Sequence, residues 1–186
     1  MKALFLTFCL VMSGLSHAAL IQLQPDQNEY RVGDSIQLSM TISGLSETLG
    51  AFWSEVFYQP SAFLLQSWQF GNGLDDGFGS LQFADHDAVV GSITLDDYAF
   101  WDADESILAA QQGTGFVLAQ LNFIALEAGD FLLSFNPGWF GVENFAGTFI
   151  DASFADLSLR IQPTQVPVPA TAFLLLAGLG LLYRRR

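Results

Sequence analysis

The chain has 186 residues, 51% of them hydrophobic, and its 19 acidic residues against six basic ones leave a net charge of −13. Every acidic residue lies between Asp26 and Asp156, and Arg31 and Arg160 are the only bases in residues 19–165, so that segment alone carries −17. Such a surface repels nucleic acid and anionic lipid and attracts cations, which excludes nucleic-acid binding.

Met1-Lys2, the apolar run Ala3–Leu15 and Ser16-His17-Ala18 have the layout of a secretory signal. Residues 1–18 are read as a signal peptide cut after Ala18 by signal peptidase. Cys9 lies within that apolar run with no small residue just before it, so it reads as a small hydrophobe and not a lipid-attachment site. Its removal leaves no thiol for a disulfide, and residues 19–162 must be held by a core of their own.

Ser35–Ser43 alternates strictly, with Ile36, Leu38, Met40 and Ile42 apolar, the pattern of a strand with one buried face. Ala51–Tyr58 is richer in aromatics and reads as a more fully covered strand. Gly71–Gly79 reads as a long flexible loop; it has no Lys-Ser/Thr for phosphate and only a faint likeness to a calcium nonapeptide. Asp104–Gln112 is predicted to form a brief helix. Val117–Ala125, Phe131–Phe135 and Leu157–Ile161 are further strands. Val32-Gly33-Asp34, Ser43-Gly44, Gln59-Pro60-Ser61, Ala128-Gly129-Asp130 and Asn136-Pro137-Gly138 mark turns. Short strands at regular spacing, without a repeat or a second domain, predict an all-β, antiparallel sandwich.

Pro163, Pro167 and Pro169 stiffen residues 163–170 into a linker, and the domain is expected to end near Gln162. Residues 171–186 read as a hydrophobic helix plus an arginine cluster. From Ala170 to Tyr183 the chain is uncharged, and at ~1.5 Å per residue a helix there covers roughly 21 Å of a ~30 Å hydrocarbon core. Arg184, Arg185 and Arg186 should stay cytoplasmic and leave the acidic domain outside.

The Val166-Pro167-Val168-Pro169-Ala170 segment, the glycine-containing apolar run and the terminal arginines occur in the order of a PEP-CTERM sorting signal, and the tail resembles one. Val168 stands where that motif more often has glutamate. The resemblance implies recognition by an exosortase, first anchored in the inner membrane and then at the cell surface or in the extracellular matrix of a Gram-negative bacterium. A second resemblance covers the domain. Tyr30-Arg31-Val32-Gly33-Asp34-Ser35 before an alternating strand, Gly50-Ala51-Phe52 with Phe57–Leu64, and Val117–Leu126 before Ala128-Gly129 are similar to cohesin-like domains. This implies a jelly-roll β-sandwich related to cohesins and carbohydrate-binding modules.

Catalytic machinery is scarce. His86 is the only histidine after residue 18 and reads as a loop residue, with no Gly-x-Ser-x-Gly elbow and too few ligands for zinc. Asp96, Asp97, Asp102, Asp104 and Glu105 form a hard-oxygen set that is either a solvated acidic loop or a structural calcium site. Trp101 and Trp139 are either packing residues or platforms for sugar rings. The chain is therefore expected to be a non-enzymatic module for adhesion or exopolysaccharide matrix assembly, with a polysaccharide or protein ligand. The competing expectation is a secreted polysaccharide-active enzyme using a carboxylate pair.

Overall fold

Alternating runs pair into two sheets in the computed structural model, which describes residues 18–164. The first strands are β1 (Ala19–Pro25), β2 (Tyr30–Arg31), β3 (Ser35–Ser43), β4 (Leu49–Phe57), β5 (Phe63–Phe70) and β6 (Ser80–Asp87). After β7 (Ser92–Ala99) comes one helix, α1 (Glu105–Gln112), and then β8 (Gly115–Ala125), β9 (Gly129–Asn144), β10 (Ala152–Ala155) and β11 (Leu157–Gln162). One sheet has the order β10-β1-β3-β8-β5, the other β2-β11-β9-β4-β7-β6.

The core fills the space between them. Ile36, Leu38, Met40 and Ile42 of β3 face Phe52 and Val56 of β4, Ile93 and Leu95 of β7 and Leu133 and Phe135 of β9, all buried. Phe123 receives the rings of Tyr58 and Phe63 edge-on, at centroid distances of 5.1 and 5.9 Å. Burial of each such side chain is worth about 1.5–3 kcal/mol, so no disulfide is needed to close the domain.

Ser35–Ser43 is a strand over the expected residues, and Asp104 caps α1 by accepting from the Ser106 N–H at 2.9 Å. Four expectations are corrected. The sandwich is not wholly antiparallel, because β1 pairs with β10 and β11 with β2 in parallel, both at sheet edges. Asn136-Pro137-Gly138 does not end a strand. β9 runs through it, and Asn136–Trp139 bulge opposite the single residue Glu55, which accommodates a proline that has no N–H to give. His86 lies on β6, not in a loop. The Gly71–Gly79 loop is tied down: Leu74 is buried, Gly73 O accepts from Gln112, and Asp75 Oδ1 accepts from the Gly77 and Gly79 amides at 2.7 and 2.6 Å. Residues 1–17, read as most of a signal peptide, and residues 165–186, with most of the expected linker, the sorting motif and the apolar helix, lie outside the described residues. Among the described residues no helix is long and apolar enough to cross a membrane.

Tyr30 fastens the entry to the sandwich. Its buried ring carries a hydroxyl that donates to Asp26 Oδ1 at 2.7 Å and accepts from the Gln27 N–H at 2.9 Å. Burial, reinforced by the Asp26 carboxylate, pushes the phenol up to about 12. Because the folded value is raised, this contribution is intact below pH ~10 and disappears as pH rises toward 12. Tyr30→Phe should cost about 1–2 kcal/mol in urea unfolding at neutral pH, and a loss below ~0.3 kcal/mol would show that the hydroxyl contributes little.

Candidate functional site

In β4, Phe52, Ser54 and Val56 point into the core, so Trp53 and Glu55 point outward. In β7, Ile93, Leu95 and Asp97 point inward and Thr94, Asp96 and Tyr98 outward. The register places Trp53 beside Asp96 and Asp96 beside Phe83 of β6, with Gly141 of β9 on the other side of Trp53. One row across four strands therefore reads glycine, tryptophan, aspartate, phenylalanine. The next row holds Ala51, Tyr98 and Leu81.

Large apolar side chains are left open on this outer face: Phe83 is 52% exposed, Leu81 48% and Trp139 48%. Phe83 meets Tyr98 edge-on at 6.4 Å, and Phe149 meets Trp53 edge-on at 5.7 Å. The bulge in β9 delivers Trp139 to the same face, where its indole N–H reaches across β4 to Asp96 Oδ1 at 3.4 Å. Asn136, in the same bulge, donates to Glu55 at 2.6 Å. The Trp53 ring occupies the space above Gly141, where a Cβ would stand 2.2 Å from the indole Cζ2. Gly141 is the seat of that ring.

Electrostatics on the face are acidic. Partial burial raises the Asp96 carboxyl above its ordinary value, opposed by the Trp139 hydrogen bond. The Tyr98 phenol is raised by burial and then by the charges of Asp96 and Glu143. Positive charge brought near Asp96, Glu55 and Glu143 would oppose both shifts.

Of the residues singled out in the sequence, Trp139 is on this face. Trp101 is not; it is 90% exposed on the turn that follows β7. The five carboxylates of the calcium set are not brought together either. Asp96 and Asp97 are neighbours on a strand and so point to opposite sides of the sheet, and Asp104 is engaged in capping α1. Among the described residues, no three Asp, Glu, His or Cys side chains converge. Trp53, Leu81 and Phe83 carry no such signal in the sequence, although Glu55 two residues after Trp53 indicates that their shared side of β4 meets solvent.

His86 takes part in a separate contact. Its Nε2 lies 2.6 Å from Tyr58 Oη, and Trp68 of β5 approaches its ring edge-on at 6.2 Å, which closes the seam between the edge strands of the two sheets. A shallow groove of about 390 Å³ on the opposite sheet, lined by residues such as Gln22, Thr41 and Phe116, contains no titratable side chain.

No protein-family model matches the sequence, and no curated protein matches it. Solved structures do. A type II cohesin domain from the cellulosome of Acetivibrio cellulolyticus is similar with a TM-score of 0.65 at 19% identity, over 76% of this chain and 95% of that one. A cohesin in a type I cohesin–dockerin complex from Clostridium thermocellum gives 0.62 at 13% identity, over 78% and 92%. A non-cellulosomal cohesin from the hyperthermophilic archaeon Archaeoglobus fulgidus gives 0.59 at 14%, over 78% and 91%. At these identities the likeness is one of fold, and residues 18–164 have the cohesin fold.

Proposed function

We propose that this chain is an exported, non-enzymatic binding module that docks a protein partner on the outer face of its six-stranded sheet. The observation that carries the reading is the row Gly141, Trp53, Asp96 and Phe83 with Trp139 above it: a flat, aromatic, acid-rimmed surface. Flat aromatic area supplies anchors, and the carboxylates select a partner with exposed Lys or Arg. A cohesin of this fold is seen in complex with a dockerin, which supports a protein ligand.

Export through the 1–18 signal, and sorting by an exosortase acting at Pro167, Pro169 and Ala170, complete the proposal, with a role in adhesion or exopolysaccharide matrix assembly at the envelope. The mass of the protein released from the cell surface tests the sorting step. A product that starts at Ala19 and ends near Pro169 supports it, and a full-length tail retained in the inner membrane overturns it.

The binding face is tested by immobilising the protein and offering it soluble envelope protein and a panel of polysaccharides. Trp53→Ala and Asp96→Lys should abolish retention of the protein ligand, whereas Gln37→Lys on the exposed side of the other sheet should not. Retention unaffected by both face variants would move the site elsewhere. Retention of a polysaccharide alone would replace the protein ligand with a sugar.

A further inference from the structure

Charge is divided unevenly between the two sheets. The strands of the six-stranded sheet carry Asp85, Asp96, Glu55 and Glu143 among others, whereas β1, β3, β5, β8 and β10 contain no charged residue. A sheet face that only has to stay in solution mixes charges of both signs. This one presents amides and hydroxyls instead. The register sets Gln24, Ser39, Gln120 and Gln69 side by side, one each from β1, β3, β8 and β5. Gln37, Asn122 and Ser67 form the next row. The Gln37 amide donates to Gln120 Oε1 at 3.2 Å, and that of Asn122 to Ser67 Oγ at 3.1 Å.

Two hollows, of about 390 and 340 Å³, lie on this face and share Val117. They make one trough across four strands, a width of about 14 Å at the usual strand spacing. Phe116, Val117 and Phe70 give it apolar area, and Gln22 and Gln69 stand at its two ends. The wall at Gly71 and Asn72 is fixed, since the Gly71 N–H donates to Leu118 O at 2.8 Å. We propose that this trough is a second binding site, for a neutral polysaccharide. Each sugar hydroxyl both donates and accepts, and so do the amide and hydroxyl side chains that meet it here. No ionised group on these strands selects a charged ligand, and the −17 of residues 19–165 repels an anionic polymer. A protein interface of this size would be richer in aromatic residues and arginine and poorer in serine. The site does not rest on the docking face, which lies on the other sheet, and it lets one domain hold a protein partner and a glycan together.

Retention of the protein on immobilised dextran, galactomannan and β-glucan, with alginate as the anionic comparison, tests the site. At least one neutral polymer should retain it, alginate should not, and retention should be the same in low salt and in about 1 M sodium chloride. Gln22→Ala and Gln69→Ala, at opposite ends of the trough, should each weaken retention about fivefold. Both should still bind the protein ligand, which separates this site from the docking face. Trp101→Ala, which removes the exposed ring on the turn after β7, should leave sugar retention unchanged. Four results would each overturn the proposal: no retention on any of the three neutral polymers, retention that salt abolishes, loss in Trp101→Ala with both glutamine variants unaffected, or a dimer in analytical ultracentrifugation that the glutamine substitutions dissociate. The last would make the face a contact between two copies of this chain.

Discussion

Replacing Gln112 with alanine is expected to destabilise the domain by about 3–5 kcal/mol, a large share of the ~5–15 kcal/mol that holds a typical domain folded. Gln112 ends α1, is 1% exposed, and satisfies three backbone groups at once. Its Oε1 accepts from the Leu49 N–H at 2.7 Å, while its amide donates to Leu49 O and Gly73 O, both at 2.9 Å. It thereby ties the helix to the start of β4 and to the glycine-rich loop. Alanine would leave all three groups buried and unpaired, each costing about 1–3 kcal/mol, with the total reduced where water enters. Urea unfolding with an unchanged m-value measures the loss. A loss below ~1 kcal/mol would mean that this end of the sandwich opens to solvent at little cost.

Nothing in the sequence marks Gln112 as a buried clamp, because glutamine is ordinarily a surface residue and its partners are 39 and 63 positions away. The parts of the fold that could be read were those in which one physical pattern decides the outcome. β3 alternates because one face is core and the other solvent, and α1 begins at Asp104 because that side chain caps it. β9 was only half legible. Its first residues alternate, but Asn136-Pro137-Gly138 carries turn chemistry, and only the pairing with β4 shows that the chain bulges and continues.

β6 shows why the face itself was hidden. Gln82, Ala84 and His86 pair with the inward-pointing Asp97, Leu95 and Ile93, whereas Leu81 and Phe83 lie on the outer side. Polar residues toward the core side and apolar ones toward solvent invert the pattern by which strands are recognised. An inversion of this kind is expected where local rules yield to function. Trp139 and Trp101 differ for another reason: a bulge in β9 carries Trp139 onto the face, and a turn leaves Trp101 in solvent.

Gly141→Val is expected to weaken partner binding about thirtyfold while the fold persists. Trp53 and Gly141 are direct cross-strand neighbours, and the indole lies where the first side-chain carbon of any other residue would be, 2.2 Å from Cζ2 and 2.6 Å from Cε2. A valine must therefore lift the ring from the sheet and out of its edge-on contact with Phe149. The backbone at Gly141 needs no left-handed conformation, so β9 tolerates the change and the cost in stability stays near 1–2 kcal/mol. Binding responds more strongly, because a displaced central aromatic anchor typically costs about 2 kcal/mol or more. Affinity for the partner retained on this face, measured beside Trp53→Ala, provides the check. Equal losses in the two variants would show that ring position, and not merely ring presence, sets affinity. Full affinity in Gly141→Val would show that the partner does not read the seated indole, and the face would then have to act through Phe83 and Trp139 instead.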